Sequence, residues 1–481
     1  RRRAVTALRP GSPTTSPKNR ILIILRILWY KVGQRENSEK SIRSLPNNNR
    51  IQRIAMSSRL RKASPLYLIG VILLVGILYP LLTRLPRIDS TPELPAPDPR
   101  LANLGTPPEW TELSKYDGVL TRAEFETALT DIYLLGENLH FEIGENAVTV
   151  ASELSPPGPA IAFAVGETRQ APPRYWRPAN EIPSEPTGQP LAGVRIAIDP
   201  GHIGGEWARM EERWYQIDDT TPVTEGDMTL RTARLLAPRL QSLGATVTLV
   251  RSASEPVTEL RPGDLKEYAA RLMPGAPAAE VLARAEQLFY RTAEIRARAT
   301  LVNETIKPDL VLCLHFNAEN WGEDSAQPRL SPRNHFHMIL HGAYMDGEIA
   351  HEDERLELMH KIFQKVHEEE SALAAALAAA FLEDTGLPAY IYRLGKPTRR
   401  IGPALWARNL LANRLYQCPV LFCEPYVMNN EEIHARVQAG DYDGEMEVAG
   451  TLRKSLYREY RDAVVKGLVD YYSSRRGKAV N

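Results

Sequence analysis

Four polar residues stand where apolar, strand-like segments end or where the next helix begins. The segments VRIAIDPGH, DLVLCLH and PVLFCE finish in His202, His315 and Glu424, and Glu225 precedes an amphipathic helical segment. In an open α/β sheet, ligands bind beyond the carboxyl ends of the strands, so these side chains are expected to share one edge. Two imidazoles and a carboxylate make a zinc set with one open position. The other carboxylate is then free to act as a base on the water that the ion activates.

Each of these residues also has an ordinary structural interpretation. A single histidine at a strand end is more often structural than a metal ligand. Glu225 alone could serve the dipole of the helix after it, and Glu424 alone could cap a loop. Their coincidence at the ends of three apolar strands favours a functional site.

Alternating strand and helix patterns predict the scaffold that must position these residues. Strand patterns cover 194–199, 245–251, 309–316, 335–340 and 419–424, and helical patterns cover 228–244, 278–306 and 347–383. This alternation predicts an α/β fold with a mostly parallel sheet and helices on both faces.

A small α+β module is predicted ahead of that sheet. Thr121 and Glu124 form a capping-box pattern that opens a helix through about Leu135. Short strands are expected near 138–151 and 160–165. Proline-rich segments on either side of the module predict linkers. The predicted division of the chain is 1–55 (non-native or disordered basic extension), 56–83 (membrane anchor), 84–108 (linker), 109–165 (module), 166–190 (linker) and 191–475 (catalytic domain).

The N-terminal region predicts a single transmembrane helix. The first methionine is Met56, which we expect to be the initiator; a genuine basic extension over 1–55 is the alternative. Three basic residues up to Lys62 precede the apolar segment 66–82, so the positive-inside rule predicts export of the chain beyond that segment. The apolar segment is long and lacks a small-residue cleavage motif. An uncleaved anchor is therefore favoured over a cleaved signal.

Composition and charge exclude several classes of protein. Of 481 residues, 43% are hydrophobic, which excludes a wholly disordered chain. The 59 basic and 59 acidic side chains balance, but residues 1–62 hold 16 basic and two acidic ones. The remaining body is mildly acidic, so no nucleic-acid partner is expected. The only cysteines, Cys313, Cys418 and Cys423, exclude a disulfide scaffold and are expected to be buried thiols.

Five motifs in order resemble the zinc-dependent N-acetylmuramoyl-L-alanine amidases. They are IDPGHIGG (198–205), TEGDMTL (224–230), RARATLVNE (296–304), LHFNAE (314–319) and VLFCEPYVMNNEE (420–432). The resemblance covers about 191–440. It implies that His202, Glu225 and His315 are ligands of Zn2+ and that Glu424 is the catalytic glutamate. It also implies a doubly covered α/β fold, in agreement with the strand and helix pattern.

The resemblance implies hydrolysis of the amide bond between N-acetylmuramic acid and L-alanine of peptidoglycan. A membrane-anchored domain exported to the periplasm or another extracytoplasmic space of a bacterial envelope would meet that substrate. Two alternatives stay open at this point. One is a peptidoglycan-binding or scaffolding protein with an occluded site, and the other is a zinc carboxypeptidase acting on stem peptides.

Several segments depart from the family pattern. Ile203 interrupts the usual Gly-His-Gly-Gly motif, and the long loop 206–224 carries Trp207, Trp214 and Tyr215, which could line a glycan groove or pack within the loop. Segments 252–277 and 319–334 look inserted. Asp199 is expected to form a turn with the next two residues, Pro-Gly, or to orient a ligand, and Asn317 to contact substrate or cap its strand.

The predicted helix 347–383 allows two further hypotheses. His360 and His367 are two turns apart, so a second metal site is conceivable, although a solvated charged face is the default expectation. Some relatives carry an inserted helix that plugs the zinc site until an activating protein partner displaces it, and residues 347–370 are a candidate for such a helix.

Overall fold

The computed structural model describes residues 94–166, 169–183, 188–320 and 327–477. The predicted extension 1–55 and the predicted anchor 56–83 lie outside these ranges. Among the described helices, none has both the length and the apolar character needed to span a bilayer.

The described part contains short and long elements in an α/β order. The strands are β1 Phe141–Ile143, β2 Ala147–Val150, β3 Ala160–Ala162, β4 Arg195–Pro200, β5 Trp214–Tyr215, β6 Val223–Thr224, β7 Thr246–Leu249, β8 Leu310–Leu314, β9 Phe336–Leu340, β10 Arg399–Gly402, β11 Leu405–Ala407, β12 Val420–Pro425, β13 Glu445–Val448 and β14 Thr451–Lys454. The helices are α1 Arg122–Ala128, α2 Glu225–Ser242, α3 Lys266–Leu272, α4 Ala278–Leu288, α5 Glu294–Thr300, α6 Asp346–Ile349, α7 Glu352–Phe363, α8 Val366–Thr385, α9 Leu411–Leu415, α10 Glu431–Ala439 and α11 Leu456–Arg475.

A seven-stranded sheet in the order β10-β11-β9-β12-β8-β4-β7 carries the fold. The strands β7, β4, β8 and β12 are parallel, which confirms the mostly parallel sheet. Strand β9 runs antiparallel to β12, so the start of β9 meets the carboxyl end of β12 at one edge. This reversal adds the first residues of β9 to the edge where the predicted site residues lie.

Apolar side chains on both faces of the sheet explain the unbroken hydrophobic strand segments. On one face, Ile196 and Leu312 pack with helices α2, α8 and α11. On the other face, Val311 and Phe422 pack with residues of α5 and α9. Strands buried on both faces are expected to be apolar at successive positions rather than alternating. All three cysteines are buried and none of them forms a disulfide, as expected.

The residues between 110 and 163 form a three-stranded antiparallel sheet, β1-β2-β3, packed on α1. The predicted capping box is present, because Thr121 accepts from the Glu124 N–H and Glu124 bonds back to the Thr121 N–H. The hydrophobic core of this small sheet also includes residues of α7, such as Phe363. The predicted domain boundaries themselves stay a prediction.

The single long helix predicted over 347–383 is wrong. The chain turns at Lys365, whose φ of +57° is left-handed, and this residue separates α7 from α8. The break lets α7 pack against the small sheet while α8 packs against α11 and the large sheet. A helical periodicity alone cannot show this break, because Lys365 is a common helix residue.

The expectation of a solvated charged face on this segment is also wrong. Glu352 is fully buried and accepts hydrogen bonds from the backbone N–H groups of Glu153 and Leu154. His360 is buried too, and its Nδ1 lies 2.9 Å from the Tyr116 hydroxyl. His360 and His367 belong to no metal-binding group found among the described residues. These polar residues join the small sheet to α7.

Candidate active site

Glu225 is the first residue of α2 and lies beneath the carboxyl edge of the sheet. It is only 2% exposed. One oxygen, Oε1, accepts the Phe316 backbone N–H at 3.1 Å and lies 3.1 Å from His315 Nδ1. The other, Oε2, lies 3.2 Å from His202 Nε2. Burial alone would raise the pKa of Glu225, but the two histidines lower it well below its usual range. The Glu225 carboxylate is therefore negatively charged and can bind a cation.

His202 follows β4 in a left-handed turn, with a φ of +59°. The Arg298 guanidinium donates to the His202 carbonyl at 2.9 Å. The Ile203 N–H donates to both oxygens of Glu211, at 3.0 and 2.8 Å. Left-handed backbone costs about 1–2 kcal/mol for a residue with a side chain, so these bonds hold the turn in place. Ile203, the extra residue of the motif, is fully buried in a side core with Phe289 and Leu265.

His315 follows β8, and its ring packs between Phe422 and Gly201. The His315 and Phe422 rings stack with centroids 5.1 Å apart. A Cβ atom on Gly201 would come within 2.3 Å of the His315 ring. Burial by itself would lower the pKa of His315. The nearby carboxylates of Glu225 and Glu424 have a larger, opposite effect, so the pKa of His315 is raised. Only glycine at position 201 leaves room for this imidazole.

We expect Gly201→Ala to abolish metal binding, because the new methyl group displaces the His315 ring. Zinc content by atomic absorption should fall from about one ion per chain to near zero, given that a three-ligand site would lose one ligand. Gly347→Ala is the matched control, since a Cβ atom there meets nothing within 4 Å. Full zinc occupancy in folded Gly201→Ala protein would contradict this account.

Glu424 lies in β12, directly opposite His337 of β9. Desolvation by burial raises the pKa of Glu424 to about 7, and Glu225 adds to the increase, whereas His315 opposes it. A carboxylate with a pKa near neutrality can both accept and return a proton at physiological pH.

His202, Glu225 and His315 together fit a divalent metal ion. Each offers one ligand atom, and these atoms lie within 4.8 Å of one another. Two nitrogens and one carboxylate oxygen form a donor set that zinc favours. The structure thus brings three of the predicted residues into one possible metal site, and Glu424 lines the same cavity.

Five polar side chains line this cavity without having been predicted from the sequence. They belong to Arg213, His337, Tyr390, Tyr392 and Arg408. Arg213 donates its Nε–H to His202 Nε2 at 3.3 Å and lies 3.3 Å from Glu225 Oε2. The only sequence signal for His337 was its position early in a strand, which is informative only once β9 is known to be antiparallel.

Other expectations about individual residues are corrected or refined. Asp199 forms no turn: it lies in β4, 3% exposed, and bonds to Arg298 at 2.9 Å and to the Tyr416 hydroxyl at 2.5 Å. It supports the His202 turn through Arg298. Asn317 lines the cavity, and its N–H donates to the Tyr426 carbonyl.

The aromatic residues of loop 206–224 pack within the protein. Trp207 packs on Phe289 with ring centroids 5.2 Å apart. Trp214 lies under the Arg209 guanidinium. Tyr215 is buried, and its hydroxyl donates to the Met428 carbonyl. None of the three loop aromatics lines the cavity, and Trp207 and Tyr215 contact residues outside the loop rather than within it.

The hypothesis that residues 347–370 plug the site is wrong. No residue of this segment lines the cavity that holds His202 and Glu424. Helix α7 packs instead against the small sheet and α9. Deleting 347–370 would remove part of the core rather than open the site.

Comparison with solved structures gives matches that span just over half of the chain. The amidase Ami1 from Mycobacterium abscessus is 16% identical, over 58% of this chain and 99% of that one, with a TM-score of 0.33. Ami1 from Mycobacterium smegmatis is 15% identical, over 59% and 99%, with a TM-score of 0.34. The CwlD amidase from Clostridioides difficile, solved with the GerS lipoprotein, is 12% identical, over 58% and 98%, with a TM-score of 0.32.

Comparison with curated proteins gives no match. The sequence model of the N-acetylmuramoyl-L-alanine amidase family matches residues 196–449, which is more than half of the chain. That range includes β12, all of β4 except Arg195, and every residue of the candidate metal site. The chain therefore belongs to the N-acetylmuramoyl-L-alanine amidase family, and this part of it is an amidase catalytic domain.

Proposed function

We propose that this amidase is zinc-dependent and membrane-anchored, and that Glu424 is its general base. The substrate bond is the amide between N-acetylmuramic acid and L-alanine of peptidoglycan. The observation that carries the proposal is the convergence of three ligand atoms within 4.8 Å, in the cavity that Glu424 also lines.

The side chains divide the chemistry between them. A zinc ion held by His202, Glu225 and His315 would acidify water and polarise the scissile carbonyl. Glu424 would accept a proton from the attacking water and return it to the leaving amine of L-alanine.

Digestion of purified peptidoglycan by the full chain tests this function. We expect intact stem peptides that begin with L-alanine, identified by mass spectrometry, with loss of activity after chelation and recovery with zinc. Release of D-alanine instead would indicate a carboxypeptidase. Activity that survives complete removal of the metal would contradict zinc dependence.

Zinc affinity of the metal-free protein should fall as the pH decreases, by about tenfold per pH unit for each proton displaced. The reason is the raised pKa of His315, which keeps that imidazole protonated, and unable to bind metal, at higher pH than an ordinary histidine. Competition with a chromogenic chelator over a pH series measures this affinity. An affinity independent of pH would contradict the assignment of His315 as a ligand.

The proposed location is the bacterial cell envelope, with the catalytic domain outside the cytoplasmic membrane. Support comes from the apolar segment 66–82 and the basic residues before it. Alkaline extraction of membranes and protease accessibility of intact spheroplasts test it. We expect the protein to stay in the membrane pellet and its catalytic domain to be digested from outside. The activating protein partner stays a prediction.

A further inference from the structure

One wall of the catalytic cavity lies beyond the proposed metal ligands and Glu424. It includes His337, Tyr390, Tyr392 and Arg408, and the cavity has a volume of about 350 Å³. His337 stands directly opposite Glu424 across β9 and β12. A substrate group next to the scissile amide would therefore contact this wall.

Main-chain and ring contacts fix the wall in place. The Tyr390 N–H donates to the Phe336 carbonyl, and the Phe336 N–H donates to the Pro388 carbonyl. The Tyr390 ring packs on His337 and Tyr392, at centroid distances of 5.0 and 4.9 Å. Tyr392 also packs edge-on against Trp406 at 5.1 Å. Side chains held this way lose little conformational entropy when a ligand binds.

Arg408 lies beside a hydrogen-bonded pair in the cavity wall. Its positive charge is near the Tyr392 hydroxyl and lowers the pKa of that group, against the increase that burial causes. That hydroxyl lies 3.0 Å from His337 Nε2. Burial lowers the pKa of His337 to about 3, so the imidazole is neutral and its Nε2 can accept the Tyr392 proton. His337 thus fixes the Tyr392 hydroxyl on the wall that also carries the Arg408 guanidinium, where Tyr392 can act as a positioning residue.

The charge of Arg408 is available to a ligand. Arg213 is held by Glu225 at 3.3 Å, whereas none of the carboxylates in the described ranges forms an ion pair with Arg408. Glu424, on the same cavity, interacts with Arg408 only as a nearby charge. The carboxylates of Glu225 and Glu424 would repel a negative substrate group unless a cation offset them.

We propose that Arg408 is a specificity-determining residue that binds a free carboxylate of the stem peptide next to L-alanine. This inference rests on the proposed amidase function. In the intact substrate the lactyl carboxyl of the sugar is tied up in the scissile amide, so free carboxylates lie only on the peptide side. A guanidinium distinguishes a carboxylate from its amide through charge and paired hydrogen bonds.

Two matched substrates test the proposal with the zinc-loaded full chain. One is N-acetylmuramoyl-L-alanyl-D-glutamate with a free α-carboxylate, and the other is its α-amide, N-acetylmuramoyl-L-alanyl-D-isoglutamine. We expect kcat/KM to favour the free acid by about 10- to 100-fold, the range of a hydrogen bond to a charged group. Arg408→Gln should abolish this preference mainly through KM, and Arg408→Lys should keep part of it. Tyr392→Phe should weaken it.

Controls separate this role from others. Arg393→Gln, on an exposed neighbour outside the cavity, should keep the full preference. Equal cleavage of both substrates by the wild type would overturn the proposal. So would an equal slowing of both by Arg408→Gln, which would mean that Arg408 acts on the reacting centre.

A binding measurement distinguishes failure of this proposal from failure of the proposed function. Calorimetry with the Glu424→Gln protein reads the affinities for the two substrates without turnover. Carboxylate-selective binding together with no cleavage by the wild type would count against the proposed reaction and support Arg408. Equal affinities for acid and amide would overturn the role of Arg408, whatever the hydrolytic activity.

Discussion

Glu424→Gln is expected to lower kcat by about 10²- to 10⁴-fold, the usual contribution of a positioned general acid or base. Glutamine keeps the size and hydrogen-bonding shape of the side chain but cannot accept the proton of water. The proposed metal set does not include Glu424, so zinc content should stay at about one ion per chain, as expected for a complete three-ligand site.

Steady-state release of stem peptides, measured beside zinc content, checks this expectation. Glu319→Gln is a suitable control, because Glu319 is a neighbouring carboxylate that contacts His335 and does not line the cavity. Loss of zinc from Glu424→Gln would mean that Glu424 is a ligand rather than a base. Undiminished activity would remove it from the reaction.

Arg298→Met is expected to lower the free energy of unfolding by about 3–5 kcal/mol, as for a buried ion pair that loses one partner. Arg298 is 1% exposed and joins Asp199 at 2.9 Å to Glu294 at 2.8 Å. Its removal leaves two buried carboxylates without their cation. It also removes the hydrogen bond to the carbonyl of His202, so the variant should bind zinc more weakly.

Urea unfolding of the metal-free protein measures the stability effect, and chelator competition measures the zinc affinity. Arg291→Met is the matched control on the same helical stretch. Arg291 is exposed and its distance to Glu212 is 3.6 Å, so its loss should cost less than about 1 kcal/mol. Similar unfolding energies for the two variants would show that the buried network contributes little to stability.

Much of the candidate site could be predicted from the sequence because its residues end apolar strands. His202, His315 and Glu424 directly follow or close segments whose burial on both faces leaves few other interpretations. Parallel strands place their carboxyl ends at one edge, so a shared edge could be predicted from the strand and helix alternation. Glu225 could be predicted for a related reason, since it begins the helix after the first of these strands.

The features that the sequence left undetermined depend on contacts between distant segments. Helix α7 was expected to be solvated because its residues are charged, yet its acids pair with groups more than 100 positions away, such as Glu352 with Glu153 and Leu154. The turn at Lys365 likewise results from packing on two different sheets and not from local propensity.

The sequence by itself determined the α/β scaffold and the position of the proposed metal ligands and of the proposed catalytic carboxylate, because these follow from strand periodicity and from polar residues at strand ends. Only the tertiary structure decided the opposite wall of the cavity. His337 reaches Glu424 because β9 is antiparallel to β12, and Arg408 reaches the cavity from the end of β11. Strand direction is set by which surfaces the whole chain can bury, and no local pattern of residues specifies it.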